Sequence, residues 1–125
     1  MKRIKNSELK ELVYSARSGI HGTGLFAAVD IRKGTYIGTY HGPRAKKNGM
    51  YVLWVYDEDN PDDIIGISGK NLLRYLNHSR PGNACFEEAD LYARRRIRRG
   101  EEITFDYGDE WKDHVYFIYD VVEYL

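Results

Sequence analysis

The residues best suited to chemistry lie in one run, Arg74-Tyr75-Leu76-Asn77-His78-Ser79-Arg80-Pro81-Gly82-Asn83. It sets two amides, an imidazole and a hydroxyl directly after the apolar pair Leu72-Leu73. Asn, Ser, Pro and Gly break regular structure, so these polar groups stand where a buried element opens into a loop. An amide supplies two donors and an acceptor, and a neutral imidazole one of each, which suits a polar heteroaromatic ligand. The same residues can also cap a turn around a satisfied core histidine. Ser79 and His78 are not a nucleophile–base pair, because adjacent residues seldom face each other and no G-x-S-x-G elbow is present. His21, His41, His78, His114 and Cys85 lack zinc-ligand spacing, so no metal site is expected.

Two further blocks change the weight of this run. One is Gly100-Glu101-Glu102-Ile103-Thr104-Phe105-Asp106-Tyr107-Gly108, and the other is Ser18-Gly19-Ile20-His21-Gly22-Thr23-Gly24-Leu25-Phe26-Ala27. The glycines at 19, 22 and 24 serve either an ordinary hairpin turn or a close backbone approach to a ligand. Together and in this order, the three blocks resemble the SET-domain protein lysine methyltransferases over about residues 12–108. The Asn-His-Ser…Asn block followed by Gly-Glu-Glu-Ile-Thr-Phe-Asp-Tyr-Gly is the specific part of the resemblance.

The resemblance implies roles by matching position. Tyr107 is similar to the catalytic tyrosine that orients the methyl group and the amine, and Tyr40 to an earlier tyrosine of the lysine channel. Phe105 matches the position whose Phe or Tyr identity governs how many methyl groups are added. The backbone at Gly22, Thr23, Gly24 and Leu25 resembles the loop contacting the methionine part of S-adenosylmethionine. Arg74, Tyr75, Asn77 and His78 match the segment holding the cofactor's amino end and adenine. Asn83 matches a structural residue that ties a pseudoknot. Departures from the family pattern are Arg80 and Gly82 around Pro81, and Lys70 before Asn71. Cys-rich flanking modules are absent from this sequence, so the tail from Asp109 to Leu125 is the segment available to complete the site. Trp111 is its first candidate wall, with core packing as the alternative. The chain resembles minimal stand-alone viral and bacterial members, some of which dimerise, so a homodimer is a possible state.

The implied chemistry asks little of side chains. Methyl transfer from a sulfonium needs neither metal nor covalent nucleophile. The lysine must arrive neutral although its free pKa is about 10.4, and desolvation in an aromatic channel lowers that value. Strand periodicity puts Ile103, Phe105 and Tyr107 on one face and Thr104 and Asp106 on the other. That apolar face, ending in a phenol, is either a channel wall or core packing with a tyrosine at the rim.

These residues need a scaffold, and 125 residues make one small domain with a single modest core. With 11 tyrosines and 30% charged residues, the composition is globular rather than disordered. The formal net charge is zero, so any affinity for nucleic acid must be local. One cysteine rules out an internal disulfide framework. No apolar run approaches a membrane span and no signal-like stretch follows Met1, so the expectation is a soluble intracellular protein of cytoplasm or nucleus.

Residues 1–11 read as a loose arm or edge segment, Leu12 to Tyr14 as a short strand and Leu25 to Val29 as a second. Ile31-Arg32-Lys33-Gly34 echoes Ile97-Arg98-Arg99-Gly100, each a tight turn feeding a strand. Two such units are too few for a repeat fold, and the echo reads as local turn chemistry. Tyr51 to Tyr56 reads as a strand buried on both faces, followed by the acidic turn at 57–63 and a return strand from Ile64. That acidic turn is either a solvated hairpin tip or a dock for a basic tail. Lys70 to Leu76 holds a helical turn or two, and Ala89 to Ile97 and Glu102 to Tyr107 are the last strands. Short strands with glycine turns give a mostly-β domain. The resemblance implies the SET fold of small curved sheets with a C-terminal pseudoknot. A rival to methyl transfer is a non-catalytic nucleic-acid or chromatin-binding module that uses Arg94 to Arg99. Strand alternation splits that cluster over two faces.

Overall fold

In the computed structural model, residues 6–49, 51–57, 59–60 and 62–106 are described. A short helix, α1 (Asn6–Leu12), leads into β1 (Val13–Arg17), β2 (Thr23–Ala27) and β3 (Tyr36–Thr39). A hairpin follows, β4 (Val52–Tyr56) and β5 (Ile64–Ser68), then a 3-10 turn at Leu72–Tyr75. Four strands complete the described chain: β6 (Asn77–His78), β7 (Ala84–Glu87), β8 (Asp90–Ala93) and β9 (Glu102–Phe105). The main sheet runs β1-β2-β9-β7-β8-β3, with β6 also paired to β9, and β4–β5 forms a separate two-stranded sheet. The domain is mostly strand, its main sheet curled.

One core holds this together. Val13, Leu25, Ile37, Leu73, Leu91, Ile97 and Ile103 are its largest fully buried side chains, drawn from five strands, the bridge at Ile97 and the 3-10 turn. Burying each such side chain contributes about 1.5–3 kcal/mol. The apolar positions alternate along β2 and β8, where Leu25 and Ala27, and Leu91 and Ala93, face inward.

The echo between residues 31–34 and 97–100 is more than a shared turn. Ile31 and Ile97 pair with each other, each amide donating to the other's carbonyl at 2.8 Å. On one side Gly34 N–H donates to Ala93 O and Ala93 N–H to Thr35 O. On the other, Gly100 N–H donates to Ala27 O and Ala27 N–H to Glu101 O. The two segments therefore brace each other in a matched antiparallel arrangement, with β2 on β9 at one end and β3 on β8 at the other. Gly34 and Gly100 take φ of 86° and 84°, the left-handed region in which a side chain is strained.

Several expectations are corrected. Residues 6–12 are helical rather than a loose arm: Leu9 is 2% exposed within the core, and Leu12 belongs to the helix. The strand at Tyr51 to Tyr56 is only half-buried, with Tyr51 and Tyr56 exposed, because the β4–β5 hairpin pairs with itself outside the main sheet. The strand starting at Ala89 stops at Ala93, so Arg94, Arg95 and Arg96 lie in a bend and strand alternation does not divide them. In β9 both faces are buried, Thr104 as well as Ile103 and Phe105, because the strand runs through the middle of the sheet.

Candidate active site

The Asn77–Asn83 segment is wrapped around β9. Asn77 and His78 run parallel to Thr104 and Phe105, Ser79 N–H donates to Phe105 O, and Ala84 returns to pair with Phe105. Asn83 locks the wrap with its side chain. Its Oδ1 accepts from Thr104 N at 2.9 Å and its Nδ2 donates to Glu102 O at 2.8 Å. A buried amide that meets one backbone donor and one acceptor of the same strand acts as a third strand would.

Asn77 and Glu102 join this wrap to the glycine-rich loop. Asn77 Nδ2 lies 3.0 Å from His21 O, 3.0 Å from Glu102 Oε2 and 3.1 Å from Ser18 Oγ. Ser18 Oγ donates to the Glu102 carboxylate at 2.8 Å and accepts from Ile20 N at 2.9 Å, while Ser18 N–H donates to Gly22 O. The carboxylate thus fixes the loop from behind, and Asn77, its nitrogen committed, keeps Oδ1 as an acceptor. Gly24 is small for the same reason. A Cβ there would stand 2.5 Å from Glu102 Oε2 and 2.9 Å from Ser18 Cβ. Gly22, at φ +46°, has open space around its missing Cβ, and Thr23 is exposed. The Leu25 side chain is fully buried, with Leu25 paired to Ser15 of β1 and Ile103 of β9, and so anchors the backbone of the loop from the core.

On the other side of β9 runs a chain of aromatic rings. Tyr40 meets Phe86 edge-on at 6.1 Å, Phe86 meets Phe105 at 5.3 Å, and Phe105 meets His78 at 6.5 Å. Such edge-to-face pairs hold one another's rotamers. Tyr40 is 8% exposed and its hydroxyl donates to Tyr51 O at 2.5 Å, which joins the end of β3 to the β4–β5 hairpin. Arg74 turns inward on its own turn. It donates to Lys70 O at 2.6 Å and Tyr75 Oη at 2.6 Å, with its guanidinium 4.4 Å from the Tyr75 ring centre, while Tyr75 stands edge-on to Tyr51. Arg74 braces the 3-10 turn that delivers Asn77.

The fold brings the glycine loop, Asn77, His78, Tyr40 and Phe105 to β9. Tyr107 and Trp111 lie outside the described residues. Three contributors were missed in the sequence. Phe86 sits on β7, four residues with no clear alternation, and Ser18 and Glu102 act through side-chain contacts 84 positions apart. The motif Gly-x-Gly was the available signal for the last pair, since a glycine mid-strand marks a close approach.

The arginine run is largely tied into the protein. Arg95 pairs with Glu101, Arg96 with Asp30 at 3.2 Å, and Arg94 donates to the Pro81 and Gly82 carbonyls. The hydrogen bond from Arg95 holds the Glu101 carboxyl below its ordinary range, helped by Arg98 N–H. Asp30 is lowered likewise, first by the Arg99 backbone N–H and then by Arg96.

Known proteins share this arrangement. A family model described as SET domain matches residues 22–108. The histone-lysine N-methyltransferase trr of Drosophila melanogaster is 37% identical over 90% of this chain, and human histone-lysine N-methyltransferase 2D is 32% identical over 89%. The chain spans only 5% and 2% of those two proteins. Among solved structures, the methyltransferase domain of human PR domain-containing protein 2 superposes with a TM-score of 0.61 at 25% identity, covering 76% of each chain. With the family model spanning its strands β2 to β9 and the wrap around β9 in place, the chain belongs to the SET-domain family.

Proposed function

We propose that the chain is a protein-lysine N-methyltransferase that uses S-adenosylmethionine and acts on histones in chromatin, and so works in a nucleus. The observation that carries this reading is the junction at β9. There a braced glycine loop and the oriented Asn77 amide stand on one side, and the rings of Tyr40, Phe86 and Phe105 on the other. The site suits the cofactor's groups: Asn77 Oδ1 and the loop carbonyls can receive an ammonium, and the exposed His78 ring beside Phe105 offers a surface for a purine. When bound, the cofactor supplies a methyl group on a sulfonium leaving group.

The chain's own residues do the rest. The aromatic rings exclude water from an incoming lysine and favour its neutral amine. Tyr40, held by Tyr51 O, keeps one wall of that path in place. Tyr107 follows β9 directly after Asp106, and its phenol oxygen would orient the amine and offset partial positive charge on the reacting methyl. The relatives carry the substrate class, since trr and the human 2D protein are named histone-lysine N-methyltransferases.

Incubating the full chain with methyl-labelled S-adenosylmethionine and core histones, read by mass spectrometry, tests the reading. Label on a histone lysine is expected, and Tyr107→Phe should slow turnover at least roughly tenfold, about 1.4 kcal/mol of barrier. Absence of label on histones and on a lysate protein panel would sink it.

A further inference from the structure

The bridge between Ile31 and Ile97 has a second effect, which is on charge. It holds Arg32 and Lys33, in the turn closed by Thr35 N–H on Arg32 O, beside the Arg94–Arg96 segment, since Ile31 pairs with Ile97 and Ala93 with Gly34 and Thr35. Two turns 66 residues apart are thereby fused into one surface carrying Arg32, Lys33 and the five arginines between Arg94 and Arg99. Among the described residues, Asp30 and Glu101 are the carboxylates that form ion pairs with these seven cations, with Arg96 and Arg95. Five positive charges are left over. Arg94 keeps its full charge because its donors meet backbone carbonyls, and Arg32, Lys33, Arg98 and Arg99 are exposed and make no ion pair among the described residues. The whole chain is formally neutral, so the rest of it is negative by the same amount, with Asp57, Asp59, Asp62 and Asp63 on the β4–β5 tip.

We propose that this double-turn face is a docking surface for duplex DNA, which holds the enzyme on the DNA of its chromatin substrate while β9 does the chemistry. The choice of partner rests on the histone reading above; the cationic face does not. A segregated excess of five charges on an otherwise neutral protein creates a local field that its net charge hides. Guanidinium groups in a fixed array suit phosphate oxygens; the Arg96–Asp30 pair ties the two turns to each other, and Arg95–Glu101 braces the second turn across its own ends. This is a positioning contact and carries no sequence information.

The test is binding of the full chain to a fluorescein-labelled 20-base-pair duplex across a salt series. Five phosphate contacts give a slope of log K on log salt of about −4.5, a loss of roughly 500-fold between 50 and 200 mM. Two double variants leave the structural pairs alone: Arg32→Ser with Lys33→Ser, and Arg98→Ser with Arg99→Ser. Each should make the slope shallower by about 1.8. Each should also lower methylation of nucleosomes relative to a short histone peptide. The first pair is decisive, because only the fold brings it to the arginine run. The proposal is overturned if the wild type shows no salt-dependent binding, or if Arg32 and Lys33 can be removed with the slope unchanged. It is also overturned if a polyglutamate peptide displaces the duplex charge for charge, which marks an acidic protein partner instead. DNA binding without any methylation would count against the enzymatic reading and leave the surface standing.

Discussion

A methyl group on Gly24 would collide with Glu102 Oε2 at 2.5 Å and with Ser18 Cβ at 2.9 Å, so the carboxylate, before any ligand, demands glycine there. Gly24→Ala should therefore destabilise the domain by about 1–3 kcal/mol, the usual cost of overpacking. Glu102→Ala alone also costs stability, since it orphans the Ser18 hydroxyl and one partner of Asn77. In the double variant the collision with the carboxylate is gone and only that with Ser18 Cβ remains, so the two effects should fall short of additive by about 1 kcal/mol or more. Urea denaturation of all four proteins measures this, and strict additivity would show that Gly24 is constrained by something other than Glu102. Phe105 has a different kind of consequence. It is packed between Phe86 and His78, and a hydroxyl added in Phe105→Tyr would enter the aromatic path of the incoming lysine. A hydrogen bond worth about 0.5–1.5 kcal/mol shifts the partition between successive methylations roughly threefold to tenfold. The expected wild-type product is di- or trimethyllysine, with Phe105→Tyr moving toward monomethyllysine. Mass spectrometry at saturating cofactor decides, and a wild type stopping at one methyl would remove Phe105 from product control.

At the scale of elements, what could be read in advance followed the strength of each local signal. The wrapped segment was legible because Asn, His, Ser, Pro and Gly occur there in a pattern with few alternative uses. β7 was not, because Ala84-Cys85-Phe86-Glu87 is short and draws its strand character from pairing with β8 and β9 rather than from its own alternation. The paired turns lay between these cases: each was visible as a turn, but their mutual bridge is a long-range contact that no local pattern encodes. Those turns make a pH prediction. Glu101 is depressed below its ordinary value near 4.5, first by the Arg95 hydrogen bond. A carboxylate whose folded pKa is lowered adds stability above its unfolded value and loses it as pH falls through the folded one. The Glu101 side chain is 33% exposed and its partner Arg95 is more so, and solvent screening of the pair keeps the amount to at most about 1 kcal/mol. Comparing thermal unfolding of wild type and Glu101→Gln, the wild-type advantage should be present at pH 6–7 and vanish below the depressed pKa. An advantage that persists unchanged at pH 2 would mean that packing, not charge, holds the turn.

At the scale of the whole molecule, the question is where the folding unit begins. The polar character of residues 1–11 suggested an arm, since one leucine among ten mostly polar residues is a weak helical signal. The helix forms because that leucine has somewhere to go. Leu9 is 2% exposed in the same cluster as Val13, Ile37 and Leu73, and Ala28 N–H donates to Leu12 O at 2.8 Å. Seven residues cannot sustain a helix alone, so α1 exists through this packing and the packing through α1. A domain this size has only about 5–15 kcal/mol in hand. Leu9→Ala should cost about 2–5 kcal/mol, a large share of the total, with a single cooperative transition displaced to lower urea. Lys10→Ala, one position along and exposed, should stay within about 0.5 kcal/mol. Because Leu9 shares the core with residues from both ends of the curled sheet, the loss should appear equally in far-ultraviolet circular dichroism and in tryptophan fluorescence. If Leu9→Ala unfolds at the same urea concentration as Lys10→Ala, the N-terminal segment is an arm after all and the folding unit begins at β1.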